Sequence, residues 1–195
     1  MVNGDYFYGI ISDGAGCSDY AKDAAWCTVN AAADYCYNNG KEFFTDKRKQ
    51  AAKCLIFDIQ QALYDKAKEL GTELSEMKCT LVMLCIDTKT KQYTTVHVGD
   101  GLIAKMSDVE TEIISYPENG VTKQYTYMVN SSSVMQHLRI KNDCYNNLNS
   151  FFLCSDGAME NCYSTHDYIK KIDVIDIYNH FDDDTTYCFI NLNYV

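Results

Sequence analysis

The chain has 195 residues, of which 47% are hydrophobic, 13% aromatic and 23% charged, and its formal net charge is −10. We expect residues 1–195 to form one domain with a sizeable core, and the single proline and many aromatic residues exclude collagen, a coiled coil or a disordered tail. The acidic balance argues against nucleic acid or an anionic membrane surface as the main partner, although metal ions would still allow an anionic substrate.

The ten cysteines raise the question of a disulfide framework. No pair has C-x-x-C spacing, and the N-terminus does not resemble a signal peptide. Several cysteines lie inside apolar runs, as Cys85 and Cys154 do, where cysteine behaves as a small hydrophobic residue. We therefore predict reduced cysteines in a cytoplasmic protein. No apolar run approaches the ~20 residues that a membrane-spanning helix needs.

The first 71 residues predict one strand and two long helices. The helices are indicated by apolar residues at helical spacing and by residues that favour helix ends. In chain order, these elements are a strand over 5–12, a helix that Ser18 caps and 38–40 end, and a helix from Thr45 or Asp46 to Gly71.

The remaining chain is rich in short apolar runs that predict strands. These strands cover 80–86, 93–98, 102–106, 112–115, 151–155 and 186–192, with short helices from Ala158 and over 172–180. Residues 116–150 are polar, contain the single proline and have no clear assignment. Runs of strands and runs of helices favour an α+β fold over an alternating α/β fold.

Four aspartates share one position relative to these strands, at the end of an apolar strand or directly before one. They are Asp13 in GIISDGAG, Asp100 in VHVGDG, Asp156 in FFLCSDG and Asp183 in DDDTTYCFI. A carboxylate beside a buried strand is costly without a compensating partner, and the glycine that follows three of them allows close approach to a ligand. Converging carboxylates would suit Mg²⁺ or Mn²⁺. An Asp-Gly pair after a strand is also an ordinary turn, so the spacing alone leaves both interpretations open.

The ordered blocks GIISDGAG, CTLVMLCI, VHVGDG, FFLCSDG and DDTTYCFI resemble the motifs of the metal-dependent protein phosphatases of the PP2C family. The DGAG block and the helix after it are most similar to the short bacterial branch. The resemblance implies an α+β fold, a four-layer α-β-β-α sandwich of two antiparallel sheets flanked by helices. It also implies that water activated by two Mn²⁺ or Mg²⁺ ions hydrolyses phosphoserine and phosphothreonine in proteins, without a covalent intermediate.

The same resemblance assigns site residues position by position. Asp13 would bridge both metal ions, and Gly14 would offer its carbonyl oxygen to one of them. Asp156 and Asp183 would complete the dinuclear site, which makes Asp13, Asp156 and Asp183 the predicted catalytic residues. Asp182 is the alternative to Asp183 if the register slips by one residue.

Asp100 matches a family aspartate that is linked to a third, weaker metal site, although glycine follows it here where the family has serine. Residues 116–150 would form the variable flap beside the cleft. His97, three residues before Asp100, is a candidate proton donor. The phosphorylated substrate protein is the expected partner, and family analogy adds a cognate Ser/Thr kinase.

The family normally begins with an earlier strand, whose arginine contacts the substrate phosphate. Only a dozen residues precede Asp13, so we expect that strand to be missing. Without this arginine the substrate would be positioned less well. The alternative function is therefore a catalytically impaired module that binds a phosphoprotein or a kinase.

Overall fold

The structure is a computed structural model that describes residues 1–119, 126–157 and 186–193. Most of its elements match the strands and helices that the sequence predicts, within a few residues at their ends. In chain order, the elements are β1 (Val2–Asn3), β2 (Tyr6–Ile11), α1 (Ala21–Asn39), α2 (Arg48–Leu70), β3 (Leu81–Asp87), β4 (Gln92–Val98), β5 (Leu102–Met106), β6 (Thr111–Ser115), α3 (Val134–His137), β7 (Arg139–Cys144), β8 (Ser150–Cys154) and β9 (Tyr187–Asn191). Short 3₁₀ helices cover Gly40–Phe44 and Leu74–Glu76.

The strands form two antiparallel sheets. The first has the order β1-β2-β3-β4-β7, and the second has the order β6-β5-β8-β9. The chain passes from the first sheet to the second in the short connection between β4 and β5. The fold is therefore α+β with two antiparallel sheets and helices, as predicted.

Strand β3 lies at the centre of the first sheet, and all seven of its residues are buried. Its side chains alternate between two cores, because successive residues of a strand point to opposite faces. Met83 and Cys85 pack with the helices, in the same cluster as Leu55 and Ile59 of α2. Val82, Leu84 and Ile86 pack with the second sheet, in a cluster that includes Phe151 and Leu153 of β8.

The hairpin of β3 and β4 fixes the register of the first sheet. Leu81 pairs with Val98 at one end and Asp87 with Gln92 at the other, so the turn has four residues, 88–91. The Asp87 carboxylate accepts hydrogen bonds from the backbone N–H groups of Lys89 and Thr90 at 2.9 and 3.0 Å, which stabilises this turn.

The outer face of the second sheet is also apolar. Leu102, Ala104, Phe152 and Cys154 form a third buried cluster there. A fourth layer of helices is predicted against this face. The predicted helices from Ala158 and over 172–180 lie outside the described residues, as does the predicted site residue Asp183.

Strand β1 was not predicted from the sequence, and other features of the fold also differ from the predictions. The Ser18 side chain does not cap α1, whose first residue is Ala21; it donates a hydrogen bond to the Glu76 carbonyl and accepts one from the Tyr20 backbone N–H. The unassigned stretch 116–150 contains α3 and β7. Strand β7 was missed because it is an edge strand with mixed polarity, RIKNDC, rather than an apolar run.

All nine cysteines in the described ranges are free thiols. Cys36, Cys79, Cys85 and Cys154 are fully buried. In the same ranges, no helix combines the length and apolar character that crossing a membrane requires.

Candidate metal centre

Asp13 lies two residues after the end of β2 and is hydrogen-bonded to Thr80, which precedes β3. The backbone N–H of Thr80 donates to the Asp13 carbonyl oxygen at 2.8 Å, and the Asp13 N–H donates to the Thr80 hydroxyl at 3.1 Å. The Ser12 hydroxyl donates to the Thr80 carbonyl at 2.7 Å. These bonds continue the β2–β3 ladder beyond the strands and hold Asp13 at one end of the first sheet.

Gly14 lies where the loop after Asp13 meets the start of α1. It forms an isolated antiparallel bridge with Cys79, and the Ala15 N–H donates to the Lys78 carbonyl at 3.1 Å. A Cβ atom on Gly14 would overlap the Ala21 backbone carbonyl. Only glycine therefore fits here without displacing the helix, which explains the glycine after Asp13 by packing as well as by ligand approach.

Asp100 lies in the connection that carries the chain from β4 to β5. The β3–β4 register continues to Thr80 opposite Gly99, so Asp100 and Asp13 lie at the same end of the first sheet. A Cβ atom on Gly101 would overlap the Val82 side chain and come within 2.6 Å of the Cys154 carbonyl oxygen. The glycine after Asp100 therefore lets the two sheets approach closely at this point.

Asp156 follows β8 and approaches Asp100 from the second sheet. The β5–β8 ladder pairs Leu102 with Cys154, and its register continues to Asp100 opposite Asp156. Burial raises the pKa of Asp100, and the negative charge of Asp156 raises it further. The like charges of Asp100 and Asp156 repel each other, and a divalent cation bound beside them would relieve this repulsion.

The Thr126 hydroxyl donates a hydrogen bond to the Asp100 carboxylate, and this bond lowers the pKa of Asp100 against the effect of burial. Asn119 and Thr126 form an antiparallel bridge. Asn119 and Thr126 therefore lie next to each other beside Asp100.

A hydrogen-bond network holds the backbone next to Asp100. Both the Glu118 N–H, at 3.0 Å, and the Arg139 guanidinium, at 2.6 Å, donate to the Gly99 carbonyl oxygen. The guanidinium also pairs with the Glu118 carboxylate at 3.0 Å, and His137 Nδ1 lies 3.0 Å from the other carboxylate oxygen. Arg139 thus binds groups of this chain and orients the Gly99–Asp100 peptide.

His97 does not occupy the position of a proton donor to a substrate. Its side chain is fully buried between the sheets, where Nδ1 lies 2.7 Å from the Ser115 hydroxyl. Burial, with a smaller contribution from the Arg139 charge, holds the pKa of His97 well below its usual value. The neutral imidazole is therefore a structural group of the core.

The buried neutral His97 should make stability depend on pH. Above about pH 6.5 neither the folded nor the unfolded chain protonates His97, and below it only the unfolded chain gains the proton. The free energy of unfolding should therefore fall as the pH decreases through 6.5, with a contribution from His97 of up to about 1.4 kcal/mol per pH unit. Urea unfolding at pH 7.5, 6.5 and 5.5 should show a shallower decrease for His97→Gln than for wild type; parallel profiles would contradict this assignment.

The structure thus gathers Asp13, Asp100 and Asp156 at one end of the two sheets, and it places Gly14 beside Asp13. In the described ranges, no group of three His, Cys, Asp or Glu side chains is arranged to hold a metal ion. The fourth predicted aspartate, Asp183, lies outside those ranges. The nearest described residue after it is Thr186, whose N–H donates to the Ser155 hydroxyl at 3.1 Å, next to Asp156.

Sequence reasoning missed three residues that contact this region: Thr126, Arg139 and Glu118. All three lie in the unassigned stretch 116–150. The sequence did contain a signal for Arg139, because it is one of two arginines in the chain. A scarce cation in an acidic chain is a candidate partner for the predicted carboxylates or their backbone.

The family model described as "Protein phosphatase 2C" matches residues 2–186. No curated protein matches the chain. Solved structures provide the remaining comparison, and 123 chains match significantly.

Three of these structures illustrate the shared fold. A bacterial serine phosphatase has 15% sequence identity and a TM-score of 0.68, with coverage of 98% of this chain and 92% of that chain. A stage II sporulation E family protein from Thermanaerovibrio acidaminovorans has 12% identity and a TM-score of 0.63, with 98% of each chain covered. RsbX in complex with magnesium has 15% identity and a TM-score of 0.62, with coverage of 96% and 81%.

Proposed function

Since this chain belongs to the protein phosphatase 2C family, we propose that it hydrolyses phosphoserine and phosphothreonine in proteins with the help of two Mn²⁺ or Mg²⁺ ions. The observation that carries the proposal is the juxtaposition of Asp100, in the connection between the two sheets, and Asp156, after β8, at the end of the fold where Asp13 is held. Because the charges of Asp100 and Asp156 repel each other, a cation bound at this end of the fold would stabilise both carboxylates. The magnesium complex of the structurally similar RsbX agrees with that choice of metal.

The donor groups present fit hard divalent cations. Asp13, Asp156 and Asp183 would hold two ions together with the Gly14 carbonyl oxygen, and Asp100 would hold a third, weaker ion. All of these donors are oxygen atoms, which Mg²⁺ and Mn²⁺ prefer over the nitrogen and sulfur ligands of zinc. Bound ions would supply positive charge for a water nucleophile and for the phosphoryl oxygens.

The chain's own residues would orient this centre. The Thr80 bonds hold the Asp13 backbone, the Gly99 carbonyl accepts from Arg139 and Glu118, and Thr126 binds the Asp100 carboxylate. We further propose a single domain over 1–195 in a cytoplasmic protein. Its partners would be a phosphorylated substrate protein and a cognate Ser/Thr kinase.

A second candidate function is a catalytically impaired module that binds a phosphoprotein or a kinase. The observation in its favour is the engagement of Arg139, whose guanidinium pairs with the Glu118 carboxylate and donates to the Gly99 carbonyl oxygen. This candidate predicts metal binding without turnover, because a binding module needs the metal only for structure or recognition.

We expect p-nitrophenyl phosphate to be hydrolysed only when Mn²⁺ or Mg²⁺ is present. The reason is that the carboxylates supply no positive charge for the phosphoryl oxygens unless they hold a cation. The measurement is the steady-state rate with Mn²⁺, with Mg²⁺ and after EDTA treatment, beside a calorimetric titration of Mn²⁺. Turnover that persists in EDTA would contradict the metal proposal, and tight Mn²⁺ binding without turnover would favour the binding module.

A further inference from the structure

A cavity of about 580 Å³ lies beside the loop that follows Asp13. One wall includes Cys17 and Lys78, and the other wall is the segment 126–133. Hydroxyl groups dominate its polar lining, which includes Ser75, Thr126, Ser131 and Ser133. Hydroxyls both donate and accept hydrogen bonds, so this lining suits a peptide backbone.

The wall 126–133 is fastened to the rest of the fold. The Val129 N–H donates to the Cys79 carbonyl at 2.9 Å, and the Gln60 amide of α2 donates to the Val129 carbonyl at 2.8 Å. The Asn130 amide donates to the Leu74 carbonyl at 2.9 Å. The cavity is therefore formed in advance of binding, which lowers the entropy cost of taking up a ligand.

Lys78 provides the positive charge of this cavity. It is partly buried, and its ammonium group lies 3.9 Å from the Cys17 sulfur. In the part of the chain that the structure describes, no carboxylate lies within 4.0 Å of this ammonium. An ammonium group without a carboxylate partner in the described ranges is free to pair with an anionic group of a ligand.

The cavity adjoins the candidate metal centre without including it. The Ala15 N–H, in the loop after Asp13, donates a hydrogen bond to the Lys78 carbonyl oxygen. On the other side, the Thr126 hydroxyl donates to the Asp100 carboxylate. None of the predicted metal ligands in the described ranges lines the cavity. A group bound there would lie next to a phosphoryl group at the metal centre and would not be that phosphoryl group.

We propose that this cavity binds the peptide residues that flank the phosphorylated residue, and that Lys78 selects an acidic side chain among them. The inference rests on the proposed phosphatase function. The Lys78 ammonium would pair with the carboxylate of the substrate's aspartate or glutamate. The Thr126 and Ser75 hydroxyls already donate to carboxylates of this chain, and their oxygens would accept hydrogen bonds from backbone N–H groups of the peptide. Lys78 is thus a specificity-determining residue of the same site.

Peptide binding tests this inference without the need for turnover. We would measure the fluorescence anisotropy of two labelled, unphosphorylated peptides on the Mn²⁺-loaded full chain, one with Asp and Glu beside the central serine and one with Asn and Gln. Wild type should bind the acidic peptide about 3- to 10-fold more tightly, the range of one partly screened ion pair. Lys78→Gln should abolish this preference, and Lys78→Glu should reverse it in favour of a matched Lys-containing peptide.

Lys89→Gln is the matched control, because Lys89 is exposed in the turn at the far end of the β3–β4 hairpin. It should keep the wild-type preference. Equal affinity of wild type for the two peptides, or loss of the preference in Lys89→Gln as well, would overturn the inference.

The phosphatase assay separates this inference from the proposed function. A protein without turnover that still shows the Lys78-dependent preference would refute the phosphatase and support the peptide site. Lys78→Gln should raise KM for an acidic phosphopeptide more than KM for p-nitrophenyl phosphate. An equal increase for both substrates would assign Lys78 to the phosphoryl group itself and overturn the assignment to a flanking residue.

Discussion

Replacing Asp156 by asparagine is expected to reduce Mn²⁺-dependent hydrolysis of p-nitrophenyl phosphate by more than about 100-fold. The substitution keeps the size of the side chain but removes one of the two facing carboxylates that the proposed metal centre needs. Changes to outer-shell partners of a metal already cost about 10- to 100-fold, and loss of a direct ligand should cost more. The measurement is kcat as a function of Mn²⁺ concentration.

The same variant should show the opposite effect on the metal-free protein. Asp156→Asn removes the negative charge that opposes ionisation of Asp100, so its melting temperature in EDTA should equal or exceed that of wild type. A ligand at 100 times its Kd stabilises the native state by about 2.7 kcal/mol, so saturating Mn²⁺ should raise the melting temperature of wild type and much less that of the variant.

Asp143→Asn is the control for this experiment, because Asp143 is an exposed carboxylate on the edge strand β7. It should match wild type in turnover and in the response to Mn²⁺. If Asp156→Asn retained full Mn²⁺-dependent activity, Asp156 would not be a metal ligand. If it melted at a lower temperature in EDTA, the facing carboxylates would not repel each other as inferred.

Gly14→Ala is expected to lower the free energy of unfolding by about 1–3 kcal/mol, the usual cost of forcing an extra carbon into a packed site. The new Cβ would overlap the Ala21 backbone carbonyl, which cannot move without shifting the start of α1. Because Gly14 adjoins Asp13, the same shift should also weaken Mn²⁺ binding. Urea unfolding and a Mn²⁺ titration measure the two effects.

Gly16→Ala supplies a matched control two residues away in the same loop. A Cβ on Gly16 would meet no atom within 4 Å, so this variant should stay within about 0.5 kcal/mol of wild type. Equal destabilisation by both substitutions would mean that the loop is sensitive to any loss of glycine. The close contact between Gly14 and α1 would then not be the cause.

Much of this fold could be predicted from the sequence because its elements have strong periodicity. The apolar run of β3 and the helical spacing of Leu55, Ile59 and Leu63 correspond to buried elements in the structure. Strand β7 could not be predicted in this way, because an edge strand is half solvated and its residues do not alternate clearly. The role of Ser18 was also missed, since its hydroxyl binds the distant Glu76 carbonyl.

The candidate site was predictable only in part for a related reason. Asp13, Asp100 and Asp156 follow or precede strands, and a strand end is visible in the sequence. Which strand ends meet depends on register and on the packing of the sheets, as in the approach of Gly101 to the Cys154 carbonyl. The cavity beside Lys78 combines segments separated by about 50 residues, so no local pattern could indicate it.

The length of the turn 88–91 constrains the spacing of the carboxylates at the opposite end of the molecule. Seven residue pairs connect this turn to the Thr80–Gly99 level, a distance of roughly 20 Å. An inserted residue that the hairpin did not absorb as a bulge would slide β4 by ~3.4 Å along β3 and turn its side chains to the other face. Asp100 would then move away from Asp13 although neither residue had changed. In related chains, retention of every aspartate is thus insufficient for an intact centre unless the hairpin length is also retained.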